Sequence, residues 1–182
     1  PDGGDEGAGF GEELHYDSGR LYVLSRTFQD TPSARVYEWD PVSGQLLTTY
    51  TPTGTGGGFS IFPSSFAVAG ERVLIGASER VSFLTYENRV RIYERGNGQS
   101  VGVRETDLGQ ETTFGVLATD GERDYFLVLD ERIQIRDAET NEILGTLEQP
   151  GDDPPDRDFG EQLVMNGGIA VVSAPAAPFP GP

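Results

Sequence analysis

The chain has 182 residues, of which 36% are hydrophobic and none is cysteine. Thirty acidic residues face 13 basic ones, all of them arginine, for a formal net charge of −17. This charge excludes nucleic acid and anionic membranes as partners, because both would be repelled. The missing cysteines exclude disulfides and thiolate metal sites, and no apolar run reaches the ~18 residues of a membrane span.

A segment that starts with phenylalanine and turns at a glycine recurs four times along the chain. In each copy, apolar residues flank a short polar turn, as in a β-hairpin. Three of the four turns are followed by an arginine. The copies are FGEELHYDSGRLYVLS from Phe10, FPSSFAVAGERVLIGAS from Phe62, FGVLATDGERDYFLVLD from Phe114 and FGEQLVMNGGIAVVSAP from Phe159.

The first three copies continue into a second hairpin-like block. Apolar and polar residues alternate, break at a Gly, Asn or Asp turn and alternate again. Each repeat therefore predicts four short antiparallel strands, and the fourth copy predicts only two. The second blocks are ARVYEWDPVSGQLLTTY from Ala34, NRVRIYERGNGQSVGVRE from Asn88 and ERIQIRDAETNEILGTLE from Glu131.

The repeats predict an all-β chain of about three and a half units. A four-stranded unit of this length is the size of a propeller blade. Three and a half blades do not close a ring, so we expect either missing blades or a further copy of the chain to complete it. The predicted units are a linker with blade 1 (1–58), blade 2 (59–113), blade 3 with a linker (114–158) and the first two strands of blade 4 (159–182).

The Phe-Gly openings and the Ser173-Ala174-Pro175 ending of the fourth copy resemble the FG-GAP repeat. The resemblance implies blades of the kind found in integrin α-chain heads, which serve in adhesion and recognition. It points to a metal-free microbial variant, because no turn carries the three spaced acids of the integrin calcium loop. A weaker similarity links WDPVSGQLL and RDAETNEIL to quinoprotein dehydrogenase repeats, but Trp39 is the only tryptophan.

Long connections between the second and third strands are the predicted binding loops. They are RTFQDTPS at 26–33 and ERVSFLTYE at 79–87. Binding residues concentrate on loops that a rigid scaffold positions. The resemblance implies that the loops between second and third strands line the ligand-binding face of the propeller. The predicted partner-binding residues are Arg26, Thr27, Phe28, Gln29, Asp30, Arg80, Phe83 and Tyr86.

The sequence offers little catalytic or metal-binding chemistry. His15 is the only histidine and has no neighbouring motif that would orient it as a base, so we interpret it as a packing or surface residue. The acids at 152, 153, 156 and 158 surround two prolines and match no cation cage. GTGGG at 54–58 runs into an apparent strand rather than the helix that a phosphate loop needs. We expect no cofactor, with calcium as an alternative that lacks a motif.

Aromatic residues in the predicted strands are expected to pack between blades. These are Tyr37, Trp39, Tyr93 and Phe126. A carbohydrate-stacking surface would require several of them to face solvent together.

The favoured function is a non-enzymatic recognition or adhesion module outside the cell or at its surface, with a protein or glycan partner. We expect a high-salt environment, in which screening relieves the self-repulsion of the acidic chain. An acidic protein that merely uses arginine in place of lysine is the alternative. Other functions that remain open are a structural subunit of a surface fibre, sheath or virion spike, and a quinoprotein- or hydrolase-like propeller enzyme.

Overall fold

The computed structural model describes residues 8–27, 33–52, 61–80, 86–105, 117–128, 132–148, 163–166 and 169–173. Within these ranges the chain forms β-strands and turns but no helix, which confirms the all-β prediction. No helix in the described residues is therefore long and apolar enough to cross a membrane. The strands form four separate sheets in which every neighbouring pair is antiparallel.

Each sheet consists of strands that follow one another in the chain, as the repeats predict. The first, blade 1, contains β1 (Ala8–Asp17), β2 (Arg20–Thr27), β3 (Ser33–Asp40) and β4 (Gln45–Tyr50). Blade 2 contains β5 (Ile61–Ala69), β6 (Arg72–Arg80), β7 (Tyr86–Glu94) and β8 (Ser100–Glu105). Blade 3 contains β9 (Leu117–Thr119), β10 (Arg123–Val128), β11 (Arg132–Asp137) and β12 (Ile143–Leu147). The two-stranded blade 4 contains β13 (Leu163–Asn166) and β14 (Ile169–Val172).

Turn chemistry explains where the strands end. Ser18 and Gly19 both have positive φ, 48° and 79°, so they form the tight two-residue connection that matches the twist of a hairpin. At the β3–β4 turn the Asp40 carboxylate accepts hydrogen bonds from the backbone N–H groups of Val42 and Ser43. Such side-chain caps supply the backbone partners that the ladder cannot provide beyond the last strand pair.

The four sheets follow one another around a common axis. The first strand of each sheet lies beside the first strand of the next, so β1 contacts β5, β5 contacts β9 and β9 contacts β13. The later strands of each sheet extend outward from this inner row. This is the arrangement of consecutive blades in a β-propeller, and it confirms the predicted fold class.

Hydrophobic contacts between blades form the core. Blades 1 and 2 share one fully buried cluster, and blades 3 and 4 share another in which Leu163 packs with Ala118, Tyr125 and Ile133. Because each sheet buries a face against its neighbour, the blades stabilise one another. The cluster between blades 1 and 2 contains Tyr22, Leu24, Val36, Tyr50, Phe66, Val68, Val73, Ile75 and Tyr93.

Two of the aromatic residues that were expected between blades lie elsewhere. Tyr93 is buried in the cluster as predicted. Tyr37 and Trp39 are only half-buried, because the strand register turns them to the face of blade 1 that points away from blade 2. Phe10, which begins the first repeat, lies on that same face, contacts Tyr37 with ring centroids 6.0 Å apart and remains 54% exposed.

Candidate functional site

The structure describes the ends of the two predicted binding loops. The ladder of blade 1 extends to the pair Thr27–Ser33, and that of blade 2 extends to the pair Arg80–Tyr86. The connections are thus shorter than predicted, because the strand pairs continue into the residues assigned to loops. Phe28, Gln29, Asp30 and Phe83 lie outside the described residues.

Arg26 is a strand residue with an ionic partner. It lies in β2, and its guanidinium donates to Glu12 of β1 at 2.8 Å. Both side chains are about 30% exposed, at 29% and 31%. The pair therefore joins β1 to β2 beside the first loop while remaining accessible to a partner.

The two predicted loops leave the same end of the molecule. Arg95, which follows β7, contacts Asp17 at the β1–β2 turn and the Gly70 carbonyl at the β5–β6 turn. These contacts bring the turn ends of blades 1 and 2 together. Since successive strands are antiparallel, the strand ends Thr27 and Ser33 of blade 1 and Arg80 and Tyr86 of blade 2 all lie at the opposite end.

A cavity of about 790 Å³ lies at the turn end of the inner strands. Its walls come from the last residues of β1, β5 and β9, where they approach their hairpin turns, and from β13. It is therefore distinct from the predicted loop surface. Apolar side chains such as Phe66 and Leu163 line it together with three carboxylates, those of Glu13, Asp17 and Asp120.

Glu13 is the most perturbed acid in this cavity. Burial raises its pKa to about 7, although its carboxylate accepts a hydrogen bond from the backbone N–H of Phe66 at 3.3 Å. The charge of Arg26 acts in the opposite direction and lowers the pKa. Desolvation outweighs both effects because the carboxylate loses most of its water at the contact between β1 and β5.

The other two carboxylates are held by the turns. Asp17 receives a 2.7 Å ion pair from Arg95, whose second nitrogen donates to the Asp17 carbonyl at 3.1 Å. Asp120 accepts hydrogen bonds from the backbone N–H groups of Glu122 and Arg123 at 2.9 and 2.7 Å. Both carboxylates thus stabilise hairpin turns. Among the described residues, no group of three or more potential metal ligands occurs.

His15 packs as the sequence predicted. Its ring lies 6.5 Å from that of Tyr22 and 6.4 Å from that of Phe66, and burial lowers its pKa. Within the described part of the cavity lining, no serine or threonine forms a hydrogen bond with it. On this wall of the cavity, the His15 ring therefore packs against the rings of Tyr22 and Phe66.

Two arginines of blade 2 connect it to blade 3. Arg72 of β6 donates to the carbonyls of Gly121 and Ala138 in blade 3, at 2.8 and 3.0 Å. Arg104 of β8 forms an ion pair with Asp124 of β10, which is 1% exposed. The repeat of arginine after the turn glycine was visible in the sequence. Its partners were not, because they lie 49 and 66 residues away.

No protein-family model and no curated protein sequence matches this chain. Among solved structures it is similar to the computationally designed Ika4 protein, with a TM-score of 0.52, 19% identity and coverage of 94% of this chain and 88% of that one. BamB from Moraxella catarrhalis gives a TM-score of 0.48 at 14% identity over 76% of this chain. U3-55K gives 0.47 at 19% identity over 70%.

The chain spans only part of two of these structures, 34% of the BamB chain and 36% of the U3-55K chain. All three identities are below the level at which function can be compared, so the likeness concerns the fold. The whole-length similarity to Ika4 agrees with the blade arrangement that the strand contacts define.

Proposed function

We propose that this chain is a non-enzymatic protein-interaction scaffold whose β2–β3 and β6–β7 loops contact a protein or glycan partner. The observation that carries the proposal is that both loops leave one end of a two-blade unit with a common buried core. A shared core fixes the relative position of the strand ends from which the two loops leave, which reduces the entropy lost on binding. The FG-GAP resemblance supports the same surface.

The charge of −17 supports a partner with a basic or neutral binding surface, since an acidic one would be repelled. It also supports a location outside the cell or at its surface in a salt-rich environment, where screening limits that repulsion to short distances. His15 and the cavity carboxylates have structural contacts, which favours recognition over catalysis.

Loop replacement tests this proposal. The immobilised chain is probed with a glycan array and a displayed library of extracellular protein domains, and the ligands obtained are measured again on variants. Replacing Phe28, Gln29 and Asp30 by Gly-Ser-Gly, or Phe83 by Gly, should abolish or strongly weaken binding. The matched control replaces 41–43 of the exposed β3–β4 turn, at the opposite end, and should leave binding intact. Unchanged binding after both loop replacements would contradict the proposal.

A further inference from the structure

Blade 1 has an apolar open face, defined as the side chains of β1–β4 that point away from blade 2. His15 contacts Phe66 of blade 2, so its neighbours Leu14 and Tyr16 point the other way, and they are 62% and 66% exposed. The strand register assigns the remaining members, and none of them is acidic although the chain has 30 acids. The open face contains Phe10, Leu14, Tyr16, Leu21, Ser25, Arg35, Tyr37, Trp39, Leu46 and Thr49, together with Val23, which these side chains surround and which is 3% exposed.

The corresponding faces of blades 2 and 4 are covered by the preceding blade. Aligning FGEEL with FGEQL matches Leu14 to Leu163, which is 8% exposed and packs against blade 3. In blade 2 the equivalent residue is Phe66, which is 2% exposed and packs against blade 1. The open face of blade 1 therefore has the composition of a surface between blades.

Blade 4 has the complementary open face. Since Leu163 points toward blade 3, Val164 and its register partner Val171 point away, and they are 62% and 63% exposed. The repeat matches these two valines to His15 and Tyr22 of blade 1. Those are the residues with which blade 1 covers Phe66.

We infer that the open face of blade 1 is a docking site for blade 4 of a second copy of this chain. Val164 and Val171 of one copy contact Leu14 and Tyr16 of the other, in the manner in which blade 1 covers blade 2. One chain carries both halves of this contact, and it buries apolar area without bringing carboxylates together. Each copy has one surface of each kind, so two copies related by a two-fold axis make both contacts and leave neither surface unpaired.

Solution mass is the first test. Light scattering and sedimentation in about 1 M NaCl, where the Debye length is about 3 Å, should give twice the chain mass. Tyr16→Glu and Val171→Glu each place a charge in the contact and should raise the dissociation constant by about tenfold or more. The matched control Val42→Glu alters a turn residue that is 94% exposed and should remain dimeric.

Mixing the two variants identifies which faces meet. Tyr16→Glu retains an intact blade 4 face and Val171→Glu retains an intact blade 1 face, so an equimolar mixture should recover one good interface and form heterodimers. If blade 1 faces met each other instead, Val171→Glu alone would still dimerise. That result, a monomer at every concentration, or oligomers that survive both substitutions would overturn the inference.

A cross-link provides a measurement that does not depend on disrupting the surface. The chain has no cysteine, so introduced thiols have no competitors. Leu14→Cys mixed with Val164→Cys should yield a disulfide-linked pair under mild oxidation, because disulfides form only between closely placed residues. Val42→Cys mixed with Val164→Cys is the control and should not. Equal cross-linking in both mixtures would contradict the proposed contact.

Discussion

Glu13 is the residue whose titration should depend most strongly on folding. Its pKa rises from an ordinary value of about 4.5 to about 7 because the fold buries its carboxylate between β1 and β5. Between these two pH values the folded state holds a proton that the unfolded state has lost. The contribution of Glu13 to stability is therefore fully present below pH 4.5 and is lost as the pH rises through 7.

Glu13→Gln should remove this pH dependence. The glutamine oxygen can still accept the hydrogen bond from Phe66, but it cannot ionise. We expect the variant to be more stable than the wild type at pH 8, by up to about 3 kcal/mol, and the difference to shrink toward pH 5. Urea denaturation across pH 5–8 measures the difference. His15 has the opposite effect, because its lowered pKa costs stability below its ordinary value of 6.5. Both proteins contain His15, so its contribution cancels in the difference.

The matched control is Glu71→Gln, which removes an exposed carboxylate from the β5–β6 turn. It should retain the fall in stability seen in the wild type. A difference between wild type and Glu13→Gln that is constant with pH would show that the Glu13 carboxylate does not carry the effect.

At the scale of the elements, Arg95 of the β7–β8 turn connects the β1–β2 and β5–β6 turns. From the end of β7 it reaches Asp17 and the Gly70 carbonyl, and its guanidinium lies 5.6 Å from the centre of the Tyr22 ring. Its side chain is only 13% exposed, so its hydrogen bonds compete little with water. The contact joins the turn ends of blades 1 and 2 on the side of the cavity.

Arg95→Ala should lower the free energy of unfolding by about 2–3 kcal/mol, because it leaves the Asp17 carboxylate and the carbonyls of Asp17 and Gly70 without their charged donor. Arg95→Lys should recover only part of this loss, since an ammonium cannot reproduce the forked contacts of a guanidinium. Thermal and urea unfolding measure both. Arg132→Ala is the control: its pair with Glu148 is 3.9 Å long and more than half exposed, so the loss should be below about 0.5 kcal/mol. Equal losses at the two sites would refute this role for Arg95.

The hairpins and their turns could be read from the sequence because they depend on local signals. Alternating residues and turn glycines such as Gly19 and Gly70 mark the hairpins. Which face of a strand is covered depends on its neighbouring sheet, and so Phe10 and Trp39 could not be placed. Arg95 meets Asp17 across 78 residues of sequence, and no spacing rule identifies such a contact. The cavity likewise exists only where β1, β5, β9 and β13 converge.

For the whole molecule, the distribution of acidic residues between the two faces of blade 1 is informative. The blade-facing side of blade 1 contains Glu13, Asp17, Glu38 and Asp40, whereas its open face contains no acid. On the blade-facing side each of these carboxylates has a hydrogen-bond or ionic partner, as in the 2.5 Å hydrogen bond from the Tyr50 hydroxyl to buried Glu38. The acids outside such contacts repel one another across the surface and oppose the compact state.

This repulsion predicts that moderate salt stabilises the chain. Raising NaCl from about 0.05 M to about 0.5 M shortens the screening length below the spacing of many surface charges, so the Tm should rise. Scanning calorimetry measures it at protein concentrations where the Tm does not change with dilution, which separates screening from association. A double variant, Glu71→Gln with Glu122→Gln, removes two exposed charges and should show a shallower rise. Both side chains are exposed, so the two substitutions remove charge with little loss of packing. A rise of equal slope in variant and wild type would attribute the stabilisation to the effect of salt on apolar surface instead.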